Sequence, residues 1–264
     1  MRIKQCCMTQ HQKKVFSGFM KKYSLSSYKD KNSPAVFYSL WGMRNLSLHR
    51  SFAIIVWRGT DIVKIDKNKI KKIKQMKNVY HVAISSYIAK DLDKLNIPYK
   101  FIPLVGADVN NFEPVPLGEE IYAYIPNVNH PQVKNKYRKR YNYELIKKIK
   151  NKCKFKINIT NGERQYNRKE IKEIYGRCFC GFRFTKHDGL PNQVIEMGLL
   201  GRKSFYNGDV PGSIHWNEKN IDEILENIEK EAKKIGKVNY NISKQIREFI
   251  DVGDEWLNIK YWKK

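Results

Sequence analysis

The sequence lacks three features that would place it in other classes of protein: long apolar runs, paired cysteines and a balancing set of acids. No apolar stretch reaches the ~18 residues that cross a bilayer, and the longest, such as 52–57, has the length of a strand. The first twenty residues alternate charged and apolar side chains without the apolar block of a secretory signal. We therefore expect a soluble protein of the cytoplasm, in a bacterium or a virus-infected host cell.

The five cysteines are odd in number, and no two of them have the Cys-x-x-Cys spacing typical of zinc or redox sites. A disulfide framework and a metal site are therefore not expected, and buried free thiols are. The cysteines are Cys6, Cys7, Cys153, Cys178 and Cys180.

What the chain does have is aromatic side chains and positive charge. Sixteen Tyr, 12 Phe and 5 Trp among 264 residues exclude a disordered chain, because such side chains need a core. Lys and Arg number 51 against 26 Asp and Glu, which leaves a net charge of +25. The length allows one large domain or two small ones.

The excess charge is concentrated in two clusters. Residues 134–156 hold eleven Lys and Arg and one acid, and residues 64–77 hold seven Lys and one acid. Such clusters attract nucleic acid, an anionic membrane face or a nucleotide diphosphate. The alternative is that they are ordinary solvated helix faces.

Eight strand-like runs are present, and most of them are continuous apolar blocks, which predicts strands that are covered on both faces, as in parallel sheets. Helical patterns lie between them at 86–96, 168–175 and 217–235, so the order of elements predicts an α/β fold. We expect domains at 1–112 and 113–242, and an amphipathic helix at 243–264 that docks on the body of the protein. The predicted strands are 35–41, 52–57, 79–85, 99–105, 120–126, 155–160, 178–184 and 203–207.

The segment 175–205 carries the chemistry. A buried strand ends in a polar turn, Gly189 and Pro191 follow, and a short helix runs to Gly201. Asp188 and Glu196 are eight positions apart, which is about two helical turns. Asp188 alone is equally well explained as a helix cap. Glu196 lies among Val, Ile, Met and Leu, and an acid in an apolar helix needs a partner or a ligand.

This segment resembles the donor-binding motif of glycosyltransferases with the GT-B fold, and most closely the family 4 type. The shared pattern is a strand, an acid followed by Gly-Leu-Pro, seven residues to a second acid, and Gly-Arg-Lys before the next strand. Here the first acid is Asp188 where that family has Glu. The loop Trp-Arg-Gly-Thr-Asp resembles the acceptor-side loop of the family, with Arg58 where His is common, followed by Gly59 and Asp61.

The resemblance implies two Rossmann-like domains that face a crevice, with a shortened first domain and a C-terminal helix that crosses back. It implies that Glu196 binds the ribose of a nucleotide sugar, with a UDP-sugar such as UDP-glucose expected, and that Asp188 contacts the sugar. It further implies retention of configuration with no named nucleophile, metal or cofactor. The residues implied to hold the donor are Arg183, Lys186, His187, Gly189, Leu190, Asn192 and Lys134.

The acceptor is indicated by charge alone. A polyanion such as hydroxymethylated DNA, as in phage-type DNA modification, is one reading, and a lipid-linked or surface glycan at a membrane face is another. A non-catalytic nucleic-acid-binding module is the alternative from a different class. It would show the same basic clusters without needing the two acids.

Overall fold

The computed structural model describes residues 1–40, 43–63, 65–106, 109–126, 129–160 and 166–263, without the side chains of residues 15, 43, 60 and 61. The contacts divide the chain into two units. The first comprises Met1–Asn110, His187–Asn192 and Ile250–Lys264, and the second comprises Asn111–Lys186 and Gln193–Phe249.

The first unit is built on a six-stranded parallel sheet of order β2-β1-β3-β4-β5-β6. Its strands are β1 Gln5–Cys7, β2 Ser26–Ser27, β3 Ala35–Tyr38, β4 Ala53–Trp57, β5 Val79–Ala83 and β6 Lys100–Phe101. Its helices are α1 Gln10–Val15, α2 Ser17–Lys22, α3 Met43–Leu48, α4 Thr60–Val63, α5 Lys67–Gln75 and α6 Ser86–Lys94.

Helices α1, α5 and α6 begin at residues whose side chains cap them. Thr9 and Gln12 form a capping box at α1, the Asp66 carboxylate accepts from Asn68 N–H at α5, and the Ser85 hydroxyl accepts from Ile88 N–H at α6. The predicted helix start at residue 86 is thereby confirmed.

The second unit is built on a five-stranded parallel sheet of order β11-β10-β9-β7-β8. Its strands are β7 Glu120–Tyr124, β8 Ile157–Thr160, β9 Cys178–Phe182, β10 Lys203–Phe205 and β11 Ser213–Ile214. The helices that follow in the chain are α7 Lys134–Arg140, α8 Tyr143–Lys152, α9 Arg168–Gly176, α10 Asn192–Leu199, α11 Ile221–Ala232 and α12 Tyr240–Ile250.

Each sheet has a point at which the strand order reverses. In the first sheet β1 pairs with β2 on one side and β3 on the other, and in the second β7 pairs with β8 and β9 in the same way. The loops that leave the carboxyl ends of two such strands diverge, and ligands of parallel α/β proteins bind there. In the second unit these are the loops after β7 and β9.

The predicted strands are confirmed, because each of the eight apolar runs contains a strand of the structure. Every residue of β3, β4 and β9 is buried, as expected for strands that are covered on both faces. Residue 41, at the end of the first predicted run, lies outside the described residues. Cys6, Cys7, Cys178 and Cys180 are buried free thiols.

The C-terminal segment is more divided than an uninterrupted helix over 243–264. Helix α12 ends at Ile250, and two short 3₁₀ turns follow at Glu255–Leu257 and Ile259–Tyr261. The Trp256 ring packs on the rings of Phe19 and Tyr23, with centroids 6.1 and 5.2 Å away. These contacts make the end of the chain part of the first unit. None of the helices in the described ranges is long and apolar enough to span a bilayer.

Candidate functional site

Helix α10, which carries Glu196, is buried from Gln193 to Leu199. Two glycines allow this close packing. A Cβ on Gly198 would lie 2.7 Å from Ile246 Cγ1 of α12, and one on Gly181 of β9 would lie 2.4 Å from Met197 Sδ. The apolar character of the helix in the sequence therefore reflects contact on several faces.

Glu196 is 3% exposed and forms an ion pair with Arg168, the first residue of α9. The Arg168 side chain is about half exposed (47%), so this pair has one buried and one accessible partner. Burial raises the pKa of Glu196, while the charge of Arg168 and hydrogen bonds from Arg168 and Tyr175 oppose the rise. The result is a buried carboxylate that is suited to accept hydrogen bonds from a polar ligand.

The hydroxyl groups of Tyr175, Tyr122 and Thr160 are grouped next to Glu196. The Tyr122 hydroxyl is 2.7 Å from Thr160 Oγ1, and the rings of Tyr122 and Tyr175 meet edge to face at 4.8 Å. Burial raises the pKa of both tyrosines, so both stay neutral donors at neutral pH. These residues come from β7, β8 and α9, and they link Glu196 to the centre of the second sheet.

The first two residues of α10 have side-chain oxygens that form no hydrogen bond with any described residue. Asn192 Oδ1 and Gln193 Oε1 are buried without a hydrogen bond in the part of the chain that the structure describes. The Gln193 amide Nε2 donates to Phe182 O at 3.1 Å, which holds the side chain against the end of β9. A buried acceptor without a partner is costly, and a ligand N–H or O–H would satisfy it. Gln193 was missed from the sequence, although a polar residue in an apolar helix was the available signal.

Asp188 lies in the segment His187–Asn192, whose contacts group it with the first unit. It is 8% exposed, and its Oδ1 accepts from Gly189 N–H at 2.9 Å. Gly189 lies directly against Gly59: a Cβ on either glycine would come within 3.2–3.3 Å of the backbone nitrogen of the other. Gly59 also has a φ of +25°, a backbone conformation that favours glycine. The two loops recognised in the sequence therefore meet backbone to backbone.

Helix α6 holds the residue before Asp188. His187 Nε2 is 2.6 Å from Asp91 Oδ2, and the imidazole packs on the Tyr87 ring with centroids 5.5 Å apart. Leu190 is buried in the same segment. Asp91 and Tyr87 thus anchor the segment, and neither was identified from the sequence because both are about a hundred residues away.

On the predicted acceptor side, the Arg58 guanidinium is stacked on two rings. It lies 3.7 Å from the Phe16 centroid and 4.8 Å from the Tyr38 centroid, which fixes the plane of the guanidinium. Arg58 follows β4 and precedes Gly59, so it lies next to the loop contact with Gly189. The side chain of Asp61 lies outside the described residues.

The three bases predicted to hold a diphosphate follow the strands at the reversal of the second sheet. Lys134 begins α7 after β7, and Arg183 and Lys186 follow β9. The Arg183 guanidinium lies 5.0 Å from the Tyr141 ring centroid, and Lys186 Nζ is 2.8 Å from Glu218 Oε1 in an exposed pair. Glu196 forms its ion pair with Arg168, a residue that the sequence analysis did not identify.

Arg202, in the Gly-Arg-Lys block of the motif, has a structural role. Its side chain is 1% exposed, and the guanidinium donates to five backbone carbonyls. Burial lowers its pKa to about 10, which leaves it charged at neutral pH. The carbonyls belong to Val115, Pro116, Gly176, Cys178 and Leu200.

The described part of the chain contains no group of three or more His, Cys, Asp or Glu side chains that could hold a metal ion. The chemistry described below uses hydrogen bonds, charge and backbone N–H groups of this chain.

No established protein family matches the sequence, and no curated protein is detectably similar to it. Solved structures are similar in fold. Sucrose-phosphate synthase from Thermosynechococcus elongatus has a TM-score of 0.60 at 10% identity, over 94% of this chain and 75% of that protein. A glycosyltransferase from Rickettsia africae has a TM-score of 0.54 at 16% identity, over 96% and 78% of the two chains.

TarM from S. aureus, solved with UDP, has a TM-score of 0.54 at 11% identity, and this chain covers 56% of it with 89% of its own length. The chain therefore spans a little over half the length of TarM. The two parallel-sheet α/β units and these neighbours confirm the expected GT-B type of fold.

Proposed function

We propose that this protein is a glycosyltransferase that moves a sugar from a nucleoside-diphosphate sugar to a hydroxyl acceptor. The observation that carries the proposal is the buried Glu196 carboxylate on α10, eight residues after Asp188, in a chain with the GT-B type of fold. A fold supports many functions, so the argument depends on this carboxylate and its surroundings.

Glu196 is proposed to accept hydrogen bonds from the two ribose hydroxyls of the donor, as in the family 4 motif that it resembles. The buried Gln193 Oε1, unpartnered among the described residues, lies one turn before it on α10 and offers a further acceptor to the nucleotide. The charge of Arg168, which is half exposed, favours the ionised form of the carboxylate and opposes the effect of burial on its pKa. A UDP-sugar is the proposed donor, in keeping with the UDP bound in the TarM structure.

The diphosphate is proposed to bind where positive charge follows the reversal of the second sheet. Lys134, Arg183 and Lys186 supply side-chain charge, and the N-terminus of α10 supplies backbone N–H groups. Stabilising the leaving diphosphate is the main electrostatic task in this reaction. Asp188 and the backbone of Gly189 and Leu190 are proposed to contact the donor sugar.

The transfer breaks the bond between the anomeric carbon and the diphosphate oxygen, and the bonding electrons leave with the diphosphate. The acceptor hydroxyl oxygen forms the new bond to the same carbon with retention of configuration. Its proton passes to the departing phosphate oxygen. No residue of this chain is named as a covalent nucleophile.

The proposed acceptor is a polyanion, with hydroxymethylated DNA as the preferred candidate. The net charge of +25 supports this choice, because long-range attraction of a phosphate backbone increases with such charge. A glycan at an anionic membrane face would share the charge preference, and acceptor assays separate the two.

The proposal is tested by thermal shift of the purified protein with UDP-, GDP-, ADP- and CMP-sugars. A ligand that binds the native state raises the unfolding midpoint by mass action. We expect a clear rise with a UDP-sugar, and transfer assays on hydroxymethylated DNA and on lipid-linked glycans then follow. A folded protein that none of the donors stabilises would overturn the proposal and favour the non-catalytic module.

A further inference from the structure

The two basic clusters of the sequence differ in how far the fold neutralises them. In the cluster at 134–156, four lysines have acidic partners within the second unit. Two of them lie on α8, and two lie between α8 and β8. The pairs are Lys147 with Glu144 (2.7 Å), Lys152 with Asp222 (3.5 Å), Lys154 with Glu229 (3.1 Å) and Lys156 with Glu120 (2.6 Å). This cluster is therefore partly compensated by the fold itself.

The cluster on α5 is not compensated in this way. Lys67, Lys69, Lys71, Lys72, Lys74 and Lys77 are all exposed, and none forms an ion pair with a described residue. The one acid in this stretch, Asp66, uses its Oδ1 to cap the helix, at 2.7 Å from Asn68 N. The helix thus presents net positive charge to solvent along its whole length of about 13 Å.

The lysines lie in two rows along the exposed side of α5. Lys67, Lys71 and Lys74 have the i, i+4, i+7 spacing of one ridge, and Lys69 and Lys72 form a second ridge on the other flank. The polar Asn68 and Gln75 lie between the two rows. A row of regularly spaced ammonium groups matches a chain of regularly spaced phosphates.

The remaining face of α5 decides between a nucleic acid and a membrane. Its apolar residues point to the protein: Ile73 is buried and Ile70 is half-buried. A helix that lies in a membrane interface needs an exposed apolar face beside its lysines. The exposed face of α5 is Lys, Asn and Gln, which suits phosphate contacts in water.

We propose that α5 is a binding surface for the phosphodiester backbone of nucleic acid, without sequence specificity. Lysines that contact phosphates position a nucleic acid, and they read no base. This binding requires neither a sugar donor nor sugar transfer, so it can be tested independently of the proposed function.

The experiment measures binding of the full chain to a fluorescent 20-base-pair duplex by anisotropy, without donor, across a range of salt. The test variant is Lys67→Gln/Lys71→Gln/Lys74→Gln. The matched control is Lys147→Gln/Lys152→Gln/Lys154→Gln, which removes the same charge from lysines that have acidic partners. Far-UV circular dichroism and the unfolding midpoint establish that both variants are folded.

We expect the α5 variant to bind about tenfold or more weakly at low salt. Its slope of log affinity against log salt should fall by about 2–3, since each lost phosphate contact removes about one. The control variant should stay within about twofold of the unmodified protein, and Lys67→Arg/Lys71→Arg/Lys74→Arg should retain binding. Equal weakening of both Gln variants, or no weakening of the α5 variant, would overturn the proposal. So would tighter binding to vesicles of anionic lipid than to duplex at equal phosphate concentration.

Discussion

At the residue scale, the proposed function rests on polar groups that are buried in an apolar setting. Glu196 is the clearest case, since its carboxylate lies among the apolar residues of α10 and is bound by the half-exposed Arg168 and by Tyr175. Such a residue is costly for the fold and useful for a ligand. Stability and binding should therefore respond in opposite directions when its charge is removed.

Glu196→Gln should weaken binding of the donor nucleotide by about tenfold to a hundredfold, because hydrogen bonds to a charged group contribute about 1.5–3 kcal/mol. The midpoint of thermal unfolding at pH 7 should stay equal or rise. Burial raises the pKa of Glu196 above its ordinary 4.5. The contribution of Glu196 to the free energy of unfolding is therefore fully present below pH 4.5 and is lost as the pH rises through the raised pKa. Glutamine does not titrate, so the variant does not lose this stability as the pH rises.

The measurements are donor titration by calorimetry and urea unfolding across pH. Glu226→Gln, the same change at an exposed position of α11, is the control and should alter neither quantity. Unchanged donor affinity in a folded Glu196→Gln protein would remove Glu196 from the donor site.

His81 predicts a second pH effect. Its Nδ1 accepts from Trp57 Nε1 at 3.1 Å in the core, and burial lowers the pKa of His81 from 6.5 to about 4. The unfolded chain binds this proton more readily, so the free energy of unfolding should fall as pH drops from about 6.5 towards 4, by up to about 3 kcal/mol.

The variant His81→Asn keeps an acceptor for Trp57 and removes the titrating group. Urea unfolding between pH 4 and 7 should show a flatter pH dependence for the variant than for the unmodified protein. Parallel curves for the two proteins would contradict the assignment of this effect to His81.

At the element scale, Arg202 joins parts of the second unit that are distant in sequence. It ties the segment before β7 to the end of α9, to β9 and to the end of α10 through its five carbonyl acceptors. A lysine has its donors on one nitrogen and cannot reproduce this planar arrangement.

Arg202→Lys should therefore lower the free energy of unfolding by about 3 kcal/mol or more, since several buried carbonyls lose their partner at once. Hydrogen exchange should show the loss of protection first around Gly176 and Cys178. Arg177→Lys, at the neighbouring exposed arginine, is the control and should change stability little. A similar loss of stability in both variants would indicate that it does not come from the hydrogen bonds of Arg202 to the five carbonyls.

At the scale of the whole molecule, the chain leaves the first unit at Asn110, rejoins it at His187–Asn192, and returns to it for its last segment at Ile250. The returning segment is held by Trp256 on Phe19 and Tyr23, and by the Ile3 N–H that donates to Leu257 O at 2.9 Å. The two ends of the chain are thus joined in one core.

Trp256→Ala should destabilise the first unit by about 3–5 kcal/mol, the usual cost of removing a buried aromatic side chain. Amide exchange in β1 should accelerate, because Ile3, two residues before this strand, donates to Leu257, the residue after Trp256. Tyr240→Ala, which truncates an exposed aromatic residue on α12, serves as the comparison and should cost under about 0.5 kcal/mol. Unchanged protection of β1 would show that the segment is not part of this core.

The parts of the fold that were predicted correctly are those with a local signal. Eight strands lie within the predicted apolar runs, and the signal is strongest for β3, β4 and β9, in which every residue is buried. Strands β1, β2 and β11, of three, two and two residues, were missed because they lie outside the predicted apolar runs. Without β1, the point where the first sheet reverses could not be located.

The sequence by itself determined the α/β class, the two acids eight residues apart, and an acid in an apolar helix that needs a partner. The tertiary structure decided which partner that is: Arg168 lies 28 positions away, on a helix that the strand order brings to α10. It likewise decided that Gly59 meets Gly189 and that the α5 lysines lack acidic partners among the described residues. Local periodicity reports burial, whereas pairing between distant residues depends on how the strands are ordered and packed.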